Sequence, residues 1–278
     1  YSTDISGDQT VANNPNLEPE ESLTYELGLR QTFNLGGWRS AWSASVFQVE
    51  RDDFILDTSG QYSPDSASYD VTGEAAIYDN IGGTRTRGFE FQLTTEPHRD
   101  FALDLAYTWL HSVFTRYDNF YQALGNPYGR FGYVDPASFS DPVNSYTLVH
   151  YDNTGNRVPR VSPHQLNARL HWYGVTDLKV TTEVDYRSTA WADEINQEKW
   201  DGRTLVNLMA EYNLRIGGGD QNTIQLFTRI DNLFDTEYWV IARGVNDSNG
   251  SPATGMEYDG VYNAEDLSIV PSTGRRWQ

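Results

Sequence analysis

Apolar and polar side chains alternate along most of the chain, which is the pattern of β-strands with one face in an apolar environment. In segment 100–109, the odd positions carry Phe, Leu, Tyr or Trp and the even positions carry Asp, Ala or Thr. The same alternation recurs in 23–33, 38–49, 88–94, 165–172, 178–187, 206–214 and 223–231. No sustained helical period is present. The sequence therefore predicts an all-β fold of about eight strands, joined as an antiparallel meander.

The connections between these strands alternate in length. Short connections that carry Gly, Pro, Asp or Asn occupy 34–37, 96–99, 173–177 and 216–221. Long segments occupy the other gaps, at 51–76, 111–162, 188–203 and 234–266. Structureless connections above ~15 residues are uncommon in compact soluble domains. Transmembrane β-barrels of outer membranes have short periplasmic turns and long extracellular loops. The alternation therefore favours a transmembrane β-barrel.

Composition excludes several classes of function. The chain has 278 residues, a net charge of −19 and no cysteine, so disulfides, thiolate metal sites and thiol nucleophiles are ruled out. An acidic chain with a pI near 4.5 is a poor nucleic-acid binder. No apolar run approaches the ~18 residues of a spanning helix, and residues 1–10 do not read as a signal peptide, so a mature chain or a fragment is expected.

Charge and aromatic residues follow the same division of the chain. Nearly all of the net negative charge lies in 1–22 and in the long segments, as expected when the strands are in lipid and the loops in water. Aromatic residues mark both ends of the apolar faces and suggest interfacial girdles. At the short-turn ends these are Phe33, Trp38, Phe101, Trp172 and Tyr212, and toward the long loops Tyr25, Tyr107, Trp109, Tyr186 and Trp191.

Six phrases resemble those of a known family, in the family's order. They are NPNLEPEES at 14–22 leading into YELGL at 25–29, FQVERDDFI at 47–55, NIG at 80–82 followed by RGFE at 87–90, GNRVPRVSPH at 155–164, DNLFDTEY at 231–238, and PSTGRRW at 271–277. Together they resemble the C-terminal part of the β-barrel of a TonB-dependent outer-membrane receptor of the siderophore-receptor type. The chain departs from that family by stopping at Gln278, where the last strand ordinarily continues to a terminal aromatic.

The resemblance implies a fold and a function. Residues 1–278 would form roughly the last nine strands of a barrel of about 22 strands, with the plug domain and the N-terminal barrel strands absent. Such a receptor sits in the outer membrane of a Gram-negative-type bacterium, among lipid and lipopolysaccharide. It takes up a scarce ligand, most often a ferric siderophore, with work from TonB, ExbB and ExbD acting through the plug. No enzymatic activity and no cofactor are expected.

Other interpretations remain open from the sequence. Acidic loops would repel anionic ferric siderophores unless divalent cations intervene, so a glycan, cobalamin or another metal complex is also a possible cargo. A passive porin or adhesin barrel is the alternative within membrane proteins. A secreted carbohydrate-binding or hydrolytic β-protein is the alternative outside them, and it predicts an apolar face buried against a second sheet. We also expect the isolated 278 residues not to form a stable transporter, because both sheet edges would be unpaired.

No motif of an enzyme active site or phosphate-binding loop occurs in the sequence. Strand alternation instead predicts a polar inner face that carries Glu26, Arg30, Glu90, Asp104, Arg169, Glu183, Asp185, Arg187, Glu211, Arg229 and Asp231. The candidate ligand-binding residues on this face are Arg169, His171 and Arg187. His171 is interpreted as a contact in the lumen and not as a metal ligand, and no metal site is predicted. Aromatic loop residues could grip a ligand or pack against one another, and the candidates are Tyr117, Tyr121, Tyr128 and Tyr133.

Overall fold

The computed structural model of the protein describes residues 11–12, 18–57, 75–76, 78–118, 120–124, 147–216, 222–244 and 267–277. Its main feature is one antiparallel sheet of nine strands: β1 (Glu21–Leu35), β2 (Trp38–Asp57), β3 (Tyr78–Thr95), β4 (Phe101–Arg116), β5 (His164–Val175), β6 (Leu178–Arg187), β7 (Arg203–Arg215), β8 (Thr223–Asp231) and β9 (Arg276–Trp277). Each strand pairs with its neighbours in the chain, from β1 at one edge to β9 at the other. The predicted antiparallel meander is confirmed.

Tight turns join the strands at one end of the sheet. Between β1 and β2, Gly36 and Gly37 both have positive φ, at 61° and 94°, as a two-residue hairpin turn requires. The Gly37 amide donates to Asn34 Oδ1 at 2.9 Å. Between β5 and β6, Asp177 has φ 62°, and its carboxylate pairs with Arg215 at 2.7 Å. We call this the turn end of the sheet and the opposite one the loop end.

Several strands continue beyond their predicted limits at the loop end. The alternation in β2 stops near 49, yet the strand runs to Asp57, and β4 runs seven residues past the predicted 109 to Arg116. A strand that meets the same solvent on both faces can keep its hydrogen-bonded ladder while the apolar alternation that reveals it disappears. Among the described residues, four further strand pairs lie outside the main sheet: Val11–Ala12 with Ala75–Ala76, Phe120–Leu124 with Thr147–Tyr151, Ala190–Trp191 with Lys199–Trp200, and Trp239–Gly244 with Leu267–Pro271.

The two faces of the main sheet differ in polarity, because the register places apolar side chains opposite apolar ones and polar side chains opposite polar ones. One apolar row crosses six strands through Leu29, Ala44, Phe91, Tyr107, Leu166 and Tyr186. Large side chains of this apolar face are uncovered, and Leu27 is 72% exposed and Leu29 68%. On a water-soluble protein, a continuous row of exposed apolar side chains would be a site of association with another molecule or of aggregation. The alternate positions form the polar face.

The described residues contain no second sheet that covers the apolar face, since every other sheet has two strands. The buried hydrophobic cluster is instead small and lies at the loop end, around Phe114 and Tyr117. This arrangement is a single-layered wall and disagrees with the two-layered fold that the secreted β-protein alternative requires. Within the described part of the chain, no helix is long and apolar enough to cross a membrane.

Candidate functional site

Charged side chains gather on the polar face where β4 to β8 run side by side. The register places Asp104, Arg169, Glu183 and Asn207 in one row across four strands. A second row, one rung closer to the turn end, contains His171, Thr181, Met209 and Arg229. Residues directly opposite one another on a face have Cβ atoms only ~5 Å apart, so side chains in these two rows are close enough to contact one another.

Glu183 is the centre of this polar network. Its Oε1 accepts hydrogen bonds from Asn167 Nδ2 and Arg169 Nη2, each at 3.1 Å, and its Oε2 accepts one from Asn207 Nδ2 at 3.5 Å. Arg229 lies 3.6 Å from the same Oε2 and also donates to Asp231 at 2.7 Å. One largely buried carboxylate on β6 therefore contacts two arginines from different strands, Arg169 of β5 and Arg229 of β8.

His171 has a polar partner for each of its ring nitrogens. Nε2 lies 3.1 Å from Asp104 Oδ2, and Nδ1 lies 2.9 Å from the Thr181 hydroxyl oxygen. A neutral ring that donates from Nε2 to the carboxylate and accepts the hydroxyl proton at Nδ1 satisfies all three groups. Among the residues that the structure describes, no group of three His, Asp or Glu side chains could hold a metal ion.

The structure brings together two of the three predicted ligand-binding residues of the polar face. Arg169 and His171 line a shared depression of about 280 Å³, together with Lys179, which pairs with Glu211 at 3.4 Å. Arg187 is not among the described residues that line it. It lies at the loop end of β6, with Nε 3.9 Å from Asp185.

The predicted aromatic loop residues have different positions. Tyr117 is 1% exposed, and its ring packs edge-on against Phe114 with the centroids 4.9 Å apart, so it supports the loop end from inside. Tyr121 lies in the strand Phe120–Leu124, where it pairs with His150. Tyr128 and Tyr133 lie outside the described residues.

Two segments at the loop end, 151–163 and 188–202, are locked to each other; we call them the loop platform. Asn196 is the main connection, because its Oδ1 accepts from the Arg157 amide at 2.7 Å and its Nδ2 donates to the Arg157 carbonyl at 2.9 Å. Asn156 Nδ2 donates to the Glu194 carbonyl at 3.1 Å. Tyr151, Val158 and Ile195 pack on the buried cluster below. Side-chain amides thus replace regular strand pairing here.

Asp193 shapes the turn at the tip of the loop platform. The carboxylate is buried and accepts from the backbone amides of Gln197 at 3.1 Å and Glu198 at 2.6 Å. Burial raises the pKa of the Asp193 carboxyl, although these hydrogen bonds oppose the change. Its negative charge is therefore directed into the turn and away from the solvent.

The loop platform encloses a cleft of about 240 Å³ that sequence reasoning missed. We call it the loop-end cleft; its charged and aromatic lining residues are Arg157, Lys199 and Trp191, and Val158, Val161 and Pro163 supply apolar walls. The Lys199 ammonium lies 5.3 Å from the centroid of the Trp191 ring. Trp191, which the sequence places toward the long loops, lies in the two-residue strand pair at the loop end. The scarcity of lysine, with two in the chain, is the one signal that could have singled out Lys199.

The first three sequence phrases meet at the loop end of β1 to β4. Asn80, which belongs to the third phrase, joins it to the other two, because its Nδ2 donates to the carbonyls of Glu18 and Asp53 and its Oδ1 accepts from the Glu18 amide at 2.7 Å. The Glu20 carboxylate accepts from the Ile55 amide at 2.9 Å, which lowers the pKa of Glu20. The phrases are therefore explained by structural contacts.

The DNLFDTEY phrase forms a closed turn after β8. Asn232 has φ 55°, and its side chain is bonded twice to Thr236, accepting from the amide at 2.8 Å and donating to the carbonyl at 2.9 Å. Asp235 Oδ1 accepts from the Arg275 amide at 2.8 Å, which ties this turn to the segment before β9. The turn thus fixes where the chain leaves the wall.

Comparisons with known proteins agree with this architecture. The model of the family described as "TonB dependent receptor-like, beta-barrel" matches residues 1–233. The chain is similar to the probable TonB-dependent siderophore receptor PiuA of Acinetobacter baumannii, with 22% identity over 236 residues, covering 83% of this chain and 25% of the relative. The chain thus spans about a quarter of the length of that relative.

Solved structures show the same fold. The crystal structure of the siderophore receptor PiuA from Acinetobacter baumannii matches with a TM-score of 0.60 and 20% identity, covering 96% of this chain and 29% of that one. The ferric yersiniabactin uptake receptor FyuA from Yersinia pestis matches with a TM-score of 0.55 and 15% identity, covering 92% and 28%. With its nine-stranded wall and a family match that spans most of its length, the chain belongs to the TonB-dependent receptor family, in the β-barrel region.

Proposed function

We propose that the chain is the C-terminal portion of the barrel of an outer-membrane receptor that imports a ferric siderophore with energy from TonB. The observation that carries this proposal is the contrast between the two faces of the wall. The apolar face exposes Leu27, Leu29 and Val46, as a surface in contact with lipid should. The polar face holds the ion-pair network around Glu183, as the lining of a water-filled lumen should.

The complete receptor in this proposal has a barrel of about 22 strands. The share of PiuA that the chain covers supports this, as do the edges of the sheet. An edge strand carries unpaired amides and carbonyls, each of which costs several kcal/mol in lipid, so β1 needs a further strand beside it. The plug domain and the other strands belong to parts of the receptor beyond the 278 residues.

The loop platform captures the ligand outside the cell, and the polar face lines its path inward past the plug. In this proposal the arginines and amides of the network around Glu183 line the path, and the protein transports the ligand without converting it. TonB, ExbB and ExbD supply the work through the plug, and lipid and lipopolysaccharide of a Gram-negative-type outer membrane surround the apolar face. Ferric siderophores are the cargo best supported by the relatives, with glycans and cobalamin as alternatives.

Uptake by cells that carry the complete receptor tests this proposal. Cells lacking their own siderophore receptors are given radioactive iron as anionic and as neutral chelates, with and without functional TonB and with a protonophore as a second block. We expect accumulation of iron from at least one chelate that disappears in both blocks. Accumulation that persists without TonB would favour the passive porin, and no accumulation from any chelate would contradict siderophore uptake.

A further inference from the structure

The loop-end cleft differs in charge from the rest of the molecule. The chain carries a net charge of −19, yet the charged side chains that line this cleft, Arg157 and Lys199, are both cationic, and no acidic residue is among its described lining. On the polar face, Arg169 and Arg229 are paired with Glu183. Neither Arg157 nor Lys199 forms an ion pair with another described residue.

We propose that the loop-end cleft binds an anionic, planar oxygen-donor group of the imported chelate, either a carboxylate or a catecholate. The inference rests on the proposed function and adds the chemistry that its ligand must have. A guanidinium presents parallel N–H donors that match two adjacent oxygens, and an ammonium adds a second positive charge. The Trp191 ring supplies a flat apolar surface beside them.

The cleft is held in shape by contacts that do not involve a ligand. The backbone of Arg157 is bonded on both sides to Asn196, and the Trp191 carbonyl accepts from the Arg160 amide at 2.7 Å. Lys199 pairs with Trp191 across the short strand pair. A binding group that is already ordered loses less conformational entropy when the ligand arrives, so more of the contact energy appears as affinity.

The carboxylates of the segment 188–202 are not among the described residues that line the cleft. Asp193 uses both of its oxygens on the amides of Gln197 and Glu198 inside the turn. Glu194 and Glu198 are buried, and neither is among the described lining residues. The charged side chains of the described lining are therefore those of Arg157 and Lys199.

The size of the cleft limits what enters it. Pockets that hold a whole drug-sized ligand have volumes of ~300–1,000 Å³, and this cleft measures about 240 Å³. Its apolar walls, Val158, Val161 and Pro163, suit the hydrocarbon part of a ring or short chain. The cleft therefore binds one group of a larger chelate, while the rest of the chelate stays outside the cleft, at the loop end of the polar face.

Binding of three ferric complexes to the purified complete receptor tests the inference. The complexes are an anionic tris-catecholate, anionic ferric citrate and a neutral trishydroxamate, and binding is measured by calorimetry at two salt concentrations. The variants are Arg157→Gln and Lys199→Gln, with Arg157→Lys to keep the charge. Arg99→Gln, in the exposed turn before β4, is the matched control for loss of one positive charge.

We expect each Gln variant to raise the Kd of an anionic complex about tenfold, as the loss of one charge-assisted hydrogen bond should. Arg157→Lys should retain part of the affinity, Arg99→Gln should change nothing, and added salt should weaken anion binding. Whichever anionic complex responds identifies the group as carboxylate or catecholate.

Anionic complexes that bind equally well to wild type and both Gln variants would overturn the inference, as would binding of the neutral complex alone, and either result would leave siderophore uptake intact. A receptor that binds none of the three complexes would contradict both the inference and the proposed function.

Discussion

The turn after β8 offers a sharp test, because one side chain there combines two hydrogen bonds with an unusual backbone conformation. Asn232 is 5% exposed and has a φ of 55°, in the left-handed region that asparagine and glycine tolerate best. Its amide is bonded to both backbone groups of Thr236. Substituting Asn232→Ala removes both hydrogen bonds and leaves the Cβ at positive φ without the polar group that compensates for this backbone conformation.

The free-energy cost of Asn232→Ala has two contributions, the lost hydrogen bonds and the left-handed backbone conformation. Two hydrogen bonds contribute ~0.5–1.5 kcal/mol each, and an ordinary residue in the left-handed region costs roughly 1–2 kcal/mol. Asn232→Ala should therefore favour local opening by about 2–5 kcal/mol, whereas Asn232→Gly, which loses the bonds and keeps the backbone freedom, should cost about 1–3 kcal/mol.

Hydrogen exchange of the complete receptor measures this cost. The Thr236 amide, which donates to Asn232 Oδ1, should exchange about 30-fold faster or more in Asn232→Ala, since each 1.4 kcal/mol is a factor of ten. Asn232→Gly should give a smaller increase. Unchanged exchange in Asn232→Ala, or a larger effect of Gly than of Ala, would refute this explanation of the DNLFDTEY phrase.

Three further substitutions test other parts of the wall. Glu183→Gln leaves Arg169 without its carboxylate partner and Arg229 with Asp231 alone, and it should lower the stability in detergent by about 1 kcal/mol, discounted because the arginines are partly exposed; an unchanged melting temperature would count against the network. The pKa of Glu20 is lowered, so its hydrogen bond with the Ile55 amide stabilises the folded protein above the usual carboxyl pKa and is lost as the pH falls through the lowered pKa. Hydrogen exchange of the Ile55 amide, corrected for the intrinsic rate, should therefore accelerate as the pH falls through that lowered pKa. Glu20→Gln should abolish this pH dependence. Gly88→Ala should lower the stability of the protein because its new Cβ would overlap the Phe47 ring. Adding Phe47→Leu to this variant should recover part of the lost stability, and a double variant that recovers none would show that the overlap with Phe47 is not the cause.

The sheet could be predicted wherever its two faces differ in polarity. The alternation between 178 and 187 predicts β6 with the bounds that the structure has, because one face of this strand is apolar and the other polar. The extension of β2 to Asp57 could not be predicted, because Arg51, Asp52 and Asp53 show no alternation. Backbone pairing at that end follows from the neighbouring strand and from the bulge near Phe54.

The members of the polar face could be predicted in part, because alternate residues of a strand lie on the same face. Arg169 and His171 are two residues apart on one strand, so period two alone places them on the same face. Their partners Glu183 and Asp104 come from other strands, and the register that joins them is a long-range property. Strand period could identify the members of the face, but not the pairs they form.

The loop-end cleft could not be predicted because its residues come from segments without a period. Arg157 and Lys199 are 42 positions apart and are brought together by the two hydrogen bonds of Asn196 and by a strand pair two residues long. Such side-chain locks leave no regular pattern in the sequence. They become visible when the fold has positioned both loops.

The central claim is that the apolar face meets lipid and the polar face meets water, and cysteine labelling of the complete receptor tests it directly. The 278 residues contain no cysteine, so single cysteines at neighbouring positions of β2 give a clean comparison within this part of the protein. Ser43→Cys, on the polar face, should react with a charged maleimide in outer-membrane vesicles, and Ala44→Cys, on the apolar face, should resist it and respond to a lipid-soluble quencher. Equal labelling of both positions, or the reverse order, would contradict the account.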